Sequence, residues 1–170
     1  MKKQLLNQLV NIFWTVLAFA PVMAFWLAIG MNIHFYLLII PSICLLFLPN
    51  EVYQRFQLSD RPEYYQRLGL KFFRRYTQDG DIVRQILRKD NSIKVRRTKK
   101  EFVNYHRTIE VYERYHLVCF AFFLLTGFYA IALANFAIFI LITMANILYN
   151  VIPLLLQQYN KLRIKRLLNN

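Results

Sequence analysis

Apolar positions in this chain fall in two long uncharged runs separated by a polar, charged stretch. Between Lys3 and Glu51 lie 47 residues without an Asp, Glu, Lys or Arg, and between Arg114 and Lys161 lie another 46. A helix needs roughly 20 apolar residues to cross the hydrocarbon core, so each run holds two crossings and a tight reversal. The reversals fall at Gly30-Met31-Asn32-Ile33-His34 and at Ala134-Asn135. The pattern predicts spans at 9–29, 33–49, 116–133 and 136–156. This is an all-α, polytopic membrane protein of one domain over 1–170. Its four transmembrane helices form two hairpins, joined by a helical segment at 51–114.

Charge orients the spans. The chain carries 22 Lys+Arg against 9 Asp+Glu, a formal charge of +13, yet 57% of it is hydrophobic. A soluble domain of this size has no core large enough for that much apolar surface. Lys2 and Lys3 precede the first span, and Lys161, Arg163, Lys165 and Arg166 follow the fourth. All other basic residues and all nine acids lie in 51–114, and neither hairpin tip is charged. The positive-inside rule then places all three basic segments in the cytoplasm. The expected location is the inner cell membrane, multi-pass, with both termini cytoplasmic. A cleaved signal peptide is the rival reading of the N-terminus, with small residues at Ala18, Ala20 and Ala24. Pro21 disfavours cleavage after Ala20. Cys44 and Cys119 fall inside spans and read as small buried apolar residues.

Between the hairpins the sequence suggests helices lying along the membrane. Asp60 with Glu63 resembles a capping box, Pro62 suits an early helical position, and Gly69 a helix end. Tyr65, Leu68, Phe72 and Tyr76 recur at helical spacing among basic residues, as in an interfacial helix. Gln78-Asp79-Gly80-Asp81 reads as a turn before a helix containing Ile82, Ile86 and Leu87. The cluster Lys94, Arg96, Arg97, Lys99 and Lys100 has no nucleic-acid recognition motif around it. Membrane lipids with anionic headgroups are the expected partners, and nucleic acid is not.

Two polar faces carry the candidate chemistry. On the fourth span, Thr143, Asn146, Asn150, Pro153, Gln157 and Asn160 fall within about 100° of one another on a straight helix. Amides on a lipid-embedded helix should face the bundle, as interhelical hydrogen bonds or as the lining of a cleft. The second face holds His106, Glu110, Glu113 and His116, with Glu113 and His116 in a Glu-x-x-His spacing. That spacing occurs in di-iron bundles, but the further Glu ligands such sites need are missing, so no metal is expected. For His106 and Glu110 a solvated helix start suffices. Glu113 and His116 sit where the chain enters the bilayer, at the depth of Gln157, and suit general-base work. Tyr159, Asn160 and Arg163 lie at the edge of this zone. The absence of ionisable residues deeper in the spans argues against a proton-coupled transporter or ion pore.

These residues resemble a family of small membrane acyltransferases, typified by glycosyl-4,4'-diaponeurosporenoate acyltransferase. The likeness rests on Tyr65-Gln66-Arg67-Leu68-Gly69-Leu70-Lys71-Phe72-Phe73-Arg74, on Glu113-Arg114-Tyr115-His116, and on Asn150 through Arg163. Gln158 stands where the family usually has Arg, Lys161 also replaces Arg, and Leu117 replaces Trp. The resemblance implies transfer of a fatty acyl group to a sugar hydroxyl on a membrane-held glycolipid or carotenoid glycoside. Chemistry then assigns the roles. His116 accepts the hydroxyl proton, helped by Glu113. Asn150 and Gln157 orient the acceptor or donate to the oxyanion. Tyr159, Asn160, Lys161 and Arg163 bind substrate, the last two holding an anionic donor. No cofactor is expected beyond an acyl thioester as co-substrate. The competing reading is a non-catalytic lipid-binding or scaffolding membrane protein.

Overall fold

The computed structural model describes residues 2–75 and 99–169. The expected turn at Gln78–Asp81, the helix with Ile82, Ile86 and Leu87, Tyr76, and the basic residues Lys94, Arg96 and Arg97 lie outside them.

Among the described residues the fold is helical without strands. It runs α1 (Lys2–Ile29), α2 (Ile33–Cys44), a 3-10 turn (Leu45–Phe47), α3 (Asn50–Arg55), α4 (Pro62–Arg67) and α5 (Leu70–Arg74). Then come α6 (Lys99–Ala132), α7 (Phe136–Asn146), a π turn (Ile147–Val151) and α8 (Ile152–Asn169). Both reversals fall where the sequence places them. Gly30 takes a φ of 78°, and Asn32 caps α2 by accepting from the His34 N–H at 3.0 Å. At the second reversal Ala134 takes a φ of 55°, and the Ala134 and Asn135 N–H groups donate to Ile131 and Ala130 carbonyls. These are the paired bonds of a Schellman ending.

Three helices are long and apolar enough to cross a membrane: Gln4–Ile29, Val103–Ala132 and Phe136–Arg166, the last running through the π turn. At 1.5 Å per residue each exceeds the roughly 30 Å of hydrocarbon. The remaining apolar helix, Ile33–Phe47, is shorter. It stops before the expected residue 49 because Pro49 disfavours helical geometry in its predecessor, and Leu48 is extended with ψ 140°. One further expectation is corrected. The segment 51–114 is not wholly short helices, because 99–114 is continuous with the third span. No Pro or Gly interrupts the chain between Lys99 and Gly127. The last helix runs on past the expected span end at 156 and carries Lys161–Arg166 on the same rod.

Packing turns the polar groups in and the greasy ones out. Leu9, Ile12, Phe13, Val16 and Leu27 of α1 are exposed, whereas Glu113, Thr126, Asn146, Asn150 and Gln158 are buried. That inversion is what a lipid solvent requires. Cys119 is buried as expected; Cys44 is exposed on the outer face instead. The core at the hairpin end holds Val22, Phe25, Trp26, Phe122, Phe123 and Ile142. α6 packs along both α7 and α8, while α1 lies against α7 and α2 against α6. A Cβ on Gly127 would meet the Phe139 ring at 3.3 Å. Gly127→Val should therefore destabilise the α6–α7 contact by about 1–3 kcal/mol, the usual cost of overpacking, read by denaturant titration in detergent.

Arg114 fastens the end of α2 to α6. Its guanidinium donates to the Leu46 carbonyl at 2.7 Å, to Leu48 at 3.2 Å and to Asn50 Oδ1 at 2.6 Å, and lies 4.4 Å from the Tyr53 ring centroid. The Tyr53 hydroxyl donates in turn to the Leu45 carbonyl, and burial raises its pKa. Arg114→Met should cost about 2 kcal/mol or more, on the scale of lost charged hydrogen bonds, by the same titration.

Candidate functional site

The π turn builds the site. Pro153 has no N–H to offer the carbonyl of Tyr149 four residues back, and its ring crowds that carbonyl. The helix widens immediately before it, over Ile147–Val151. One extra residue in the turn brings two neighbours, Tyr149 and Asn150, into the interior together. It also shifts the phase of everything that follows. The straight-helix face from Thr143 to Asn160 is therefore broken: beyond the π turn the fully buried positions include Leu156, Gln158 and Tyr159, while Gln157 and Asn160 are only half-buried. Such bulges often occur at functional sites.

A directed chain of amides leads from α6 back to α6. Asn146 Nδ2 donates to the Phe120 carbonyl at 3.2 Å, and Asn150 Nδ2 donates to Asn146 Oδ1 at 2.8 Å. Asn150 Oδ1 then faces His116 Nδ1 at 3.4 Å. A carbonyl can only accept, so every link takes its direction from Phe120. Asn150 Oδ1 is the acceptor in that contact, which makes His116 Nδ1 its donor and leaves Nε2 as the ring's other nitrogen. His116 also sits edge-on to the Tyr115 and Tyr149 rings. The Tyr149 hydroxyl joins Tyr115 at 3.0 Å and Thr15 of α1 at 2.8 Å.

One turn from His116, Glu113 is 4% exposed, and its Oε2 takes the Lys161 ammonium at 2.7 Å. Its Oε1 is buried with no hydrogen-bond partner among the described residues. The expected pairing of Glu113 with His116 is thus replaced. The carboxylate serves Lys161, and the imidazole is oriented by an amide. His106 and Glu110 form an exposed i,i+4 pair at 3.6 Å, in keeping with a solvated helix start.

Lys161 and Arg163 do not meet. Arg163 lies on the face of α8 turned to α4, its guanidinium 5.6 Å from the Tyr159 ring centroid. Pro62, Glu63, Gln66, Tyr159, Arg163 and Arg166 line an open pocket there of about 270 Å3. The Tyr159 hydroxyl accepts from Gln66 Nε2 at 3.3 Å, and Arg166 reaches Glu63 at 3.4 Å. The Glu63 carboxyl is held below its usual range by its own backbone N–H and by Arg166.

Gln158 ties the short helices to α8. Its Nε2 donates to the Phe56 carbonyl at 2.9 Å, and its Oε1 accepts from the Leu58 N–H at 3.3 Å and lies 3.0 Å from the Tyr65 hydroxyl. Burial raises the Tyr65 pKa, which keeps that hydroxyl a donor. Tyr65 and Leu70 pack on Leu156, Tyr159 and Leu162, whereas Leu68 and Phe72 are exposed. The expected stripe from Tyr65 to Phe72 does not hold, because Gly69 takes a φ of 72° and resets the helix phase. Nor does Asp60 cap α4: Arg61 occupies the N-cap, and Asp60 accepts from Gln57.

Comparison with known proteins adds the decisive observation. A family model for glycosyl-4,4'-diaponeurosporenoate acyltransferase matches residues 49–170. The chain belongs to that family. No curated protein and no solved structure matches it. The region matched to the acyltransferase family spans α3 to α8 and so contains Glu113, His116, Asn150 and Lys161; α1, with Thr15, and α2 lie outside it. Within this family member, Tyr115, Tyr149, Arg114 and Gln158 are the residues that sequence reasoning missed. Pro153, placed four residues after Tyr149, was the available signal for Tyr149.

Proposed function

We propose that this protein transfers a fatty acyl group to a hydroxyl of a glycolipid or carotenoid glycoside at the cytoplasmic face of the inner membrane. α2 would serve as the fourth crossing, with both termini cytoplasmic. Family membership supports the reaction class, and the directed amide chain supports the assignment of the base. With Nδ1 committed to Asn150, His116 Nε2 is the nitrogen able to take a proton. As the acceptor oxygen attacks the carbonyl carbon of an acyl thioester, Nε2 removes the hydroxyl proton. When the carbon–sulfur bond breaks, the same proton passes to the leaving thiolate. The 3.4 Å separation of His116 and Asn150 is of the length that tightens when substrate binds.

Glu113 Oε1 is a second acceptor at this site, suited to a sugar hydroxyl beside the one that reacts. Its neighbour Lys161 holds the carboxylate's other oxygen at 2.7 Å. Gln157 and Asn160, half-buried on α8, would line the approach from its cytoplasmic end. The test is lipid and pigment profiling of cells with and without the expressed protein. The expected result is a glycosylated amphiphile gaining the mass of one esterified fatty acid. Identical profiles in cells that accumulate the folded protein would overturn the assignment and favour a non-catalytic lipid-binding role.

A further inference from the structure

The face of α8 away from Glu113 carries a separate concentration of charge. Arg163 and Arg166 stand one turn apart and open onto the same pocket against α4. Arg163 rests on the buried Tyr159 ring, which leaves its planar fork of donors at the pocket edge. Among the described residues Arg166 is engaged only by Glu63 at 3.4 Å, with the two side chains 59% and 61% exposed. Such exposed pairs form and break readily. Two guanidinium groups against one carboxylate leave the pocket short of one negative charge, and guanidinium geometry matches phosphate oxygens.

We propose that this pocket is a phosphate subsite, in which Arg163 and Arg166 take the anion and the Glu63 carboxylate holds its place until phosphate displaces it. The subsite deepens the acyl-transfer reading, on which it rests for the identity of the ligand as the phosphate-bearing part of an acyl donor. It also separates two functions that the sequence groups together: Arg163 recognises the donor's phosphate, while Lys161 holds Glu113 at the acceptor.

The role of Glu63 gives the proposal its sign. A carboxylate that merely braced Arg166 would weaken phosphate binding when removed; one that stands in for the ligand strengthens it. The full-length protein in phosphatidylcholine nanodiscs is titrated calorimetrically with inorganic pyrophosphate. Arg163→Gln with Arg166→Gln should weaken binding by about tenfold or more, as loss of charged hydrogen bonds does, and Glu63→Gln should tighten it several-fold. Repeating the titration in discs doped with phosphatidic acid distinguishes the sources. Competition identifies a lipid phosphate, and unchanged affinity identifies a soluble donor. Pyrophosphate binding that survives the double substitution, or that weakens or stays unchanged with Glu63→Gln, overturns the proposal. No acyl transfer is needed for the readout, so a failed subsite and a failed enzyme assignment give different results.

Discussion

In membranes carrying His116→Gln, acyl transfer should fall by about 10²–10⁴-fold, the contribution of a positioned general base, while the bundle stays folded. Glutamine can still donate to Asn150 Oδ1, so the amide chain from Phe120 through Asn146 and Asn150 keeps its last partner. What disappears is the lone pair that takes the hydroxyl proton. The rate of acyl transfer and the thermal midpoint should be measured on the same preparation. Full turnover in a folded His116→Gln protein would remove the base from the mechanism. Asn150→Leu makes a useful contrast, because it strips the imidazole of its orienting acceptor and also leaves the buried Asn146 without its donor. That variant should lose both activity and stability, whereas His116→Gln should lose activity alone.

The second large effect is on stability. Lys161→Met should destabilise the protein by about 3–5 kcal/mol, because it leaves a carboxylate buried without its counter-ion. The Glu113 and Lys161 side chains are 5% and 14% exposed, and the carboxylate's other oxygen has no partner among the described residues. Adding Glu113→Gln should restore most of the loss, since a neutral amide pays far less for burial than a carboxylate. Denaturant titration of the single and double variants in the same detergent measures both. A Lys161→Met protein as stable as the parent would mean that the pair is solvated.

Positions of reversals and apolar helices were legible in the sequence because they depend on local composition. Gly30, Asn32, Ala134 and Asn135 mark the chain turns as expected, and the uncharged runs mark α1, α6 and α7. Phase was much less legible. The reading of span four assumed one straight helix, and the π turn before Pro153 moves the buried position from Gln157 to Gln158. The left-handed Gly69 did the same to the stripe from Tyr65 to Phe72. Partner choice was the least legible. Glu113 and His116 share a helix at suitable spacing, yet their bonds go to Lys161 and Asn150 of the opposing helix segments. Nothing in the spacing of one helix states what stands across from it. Gln158 read as a departure from the family pattern; the structure gives it three polar contacts that hold α4 and the α3–α4 connection to α8.

Nitrogen-15 NMR of the imidazole tests the central claim most directly. His34 and His106 are replaced so that His116 is the sole labelled histidine, and the protein is held in nanodiscs at neutral pH. The account predicts a neutral ring with its proton on Nδ1 and a bare Nε2, and an Asn150→Leu variant that loses this preference. A proton on Nε2, or an imidazolium at that pH, would contradict it, because the nitrogen assigned to take the acceptor's proton would already be occupied.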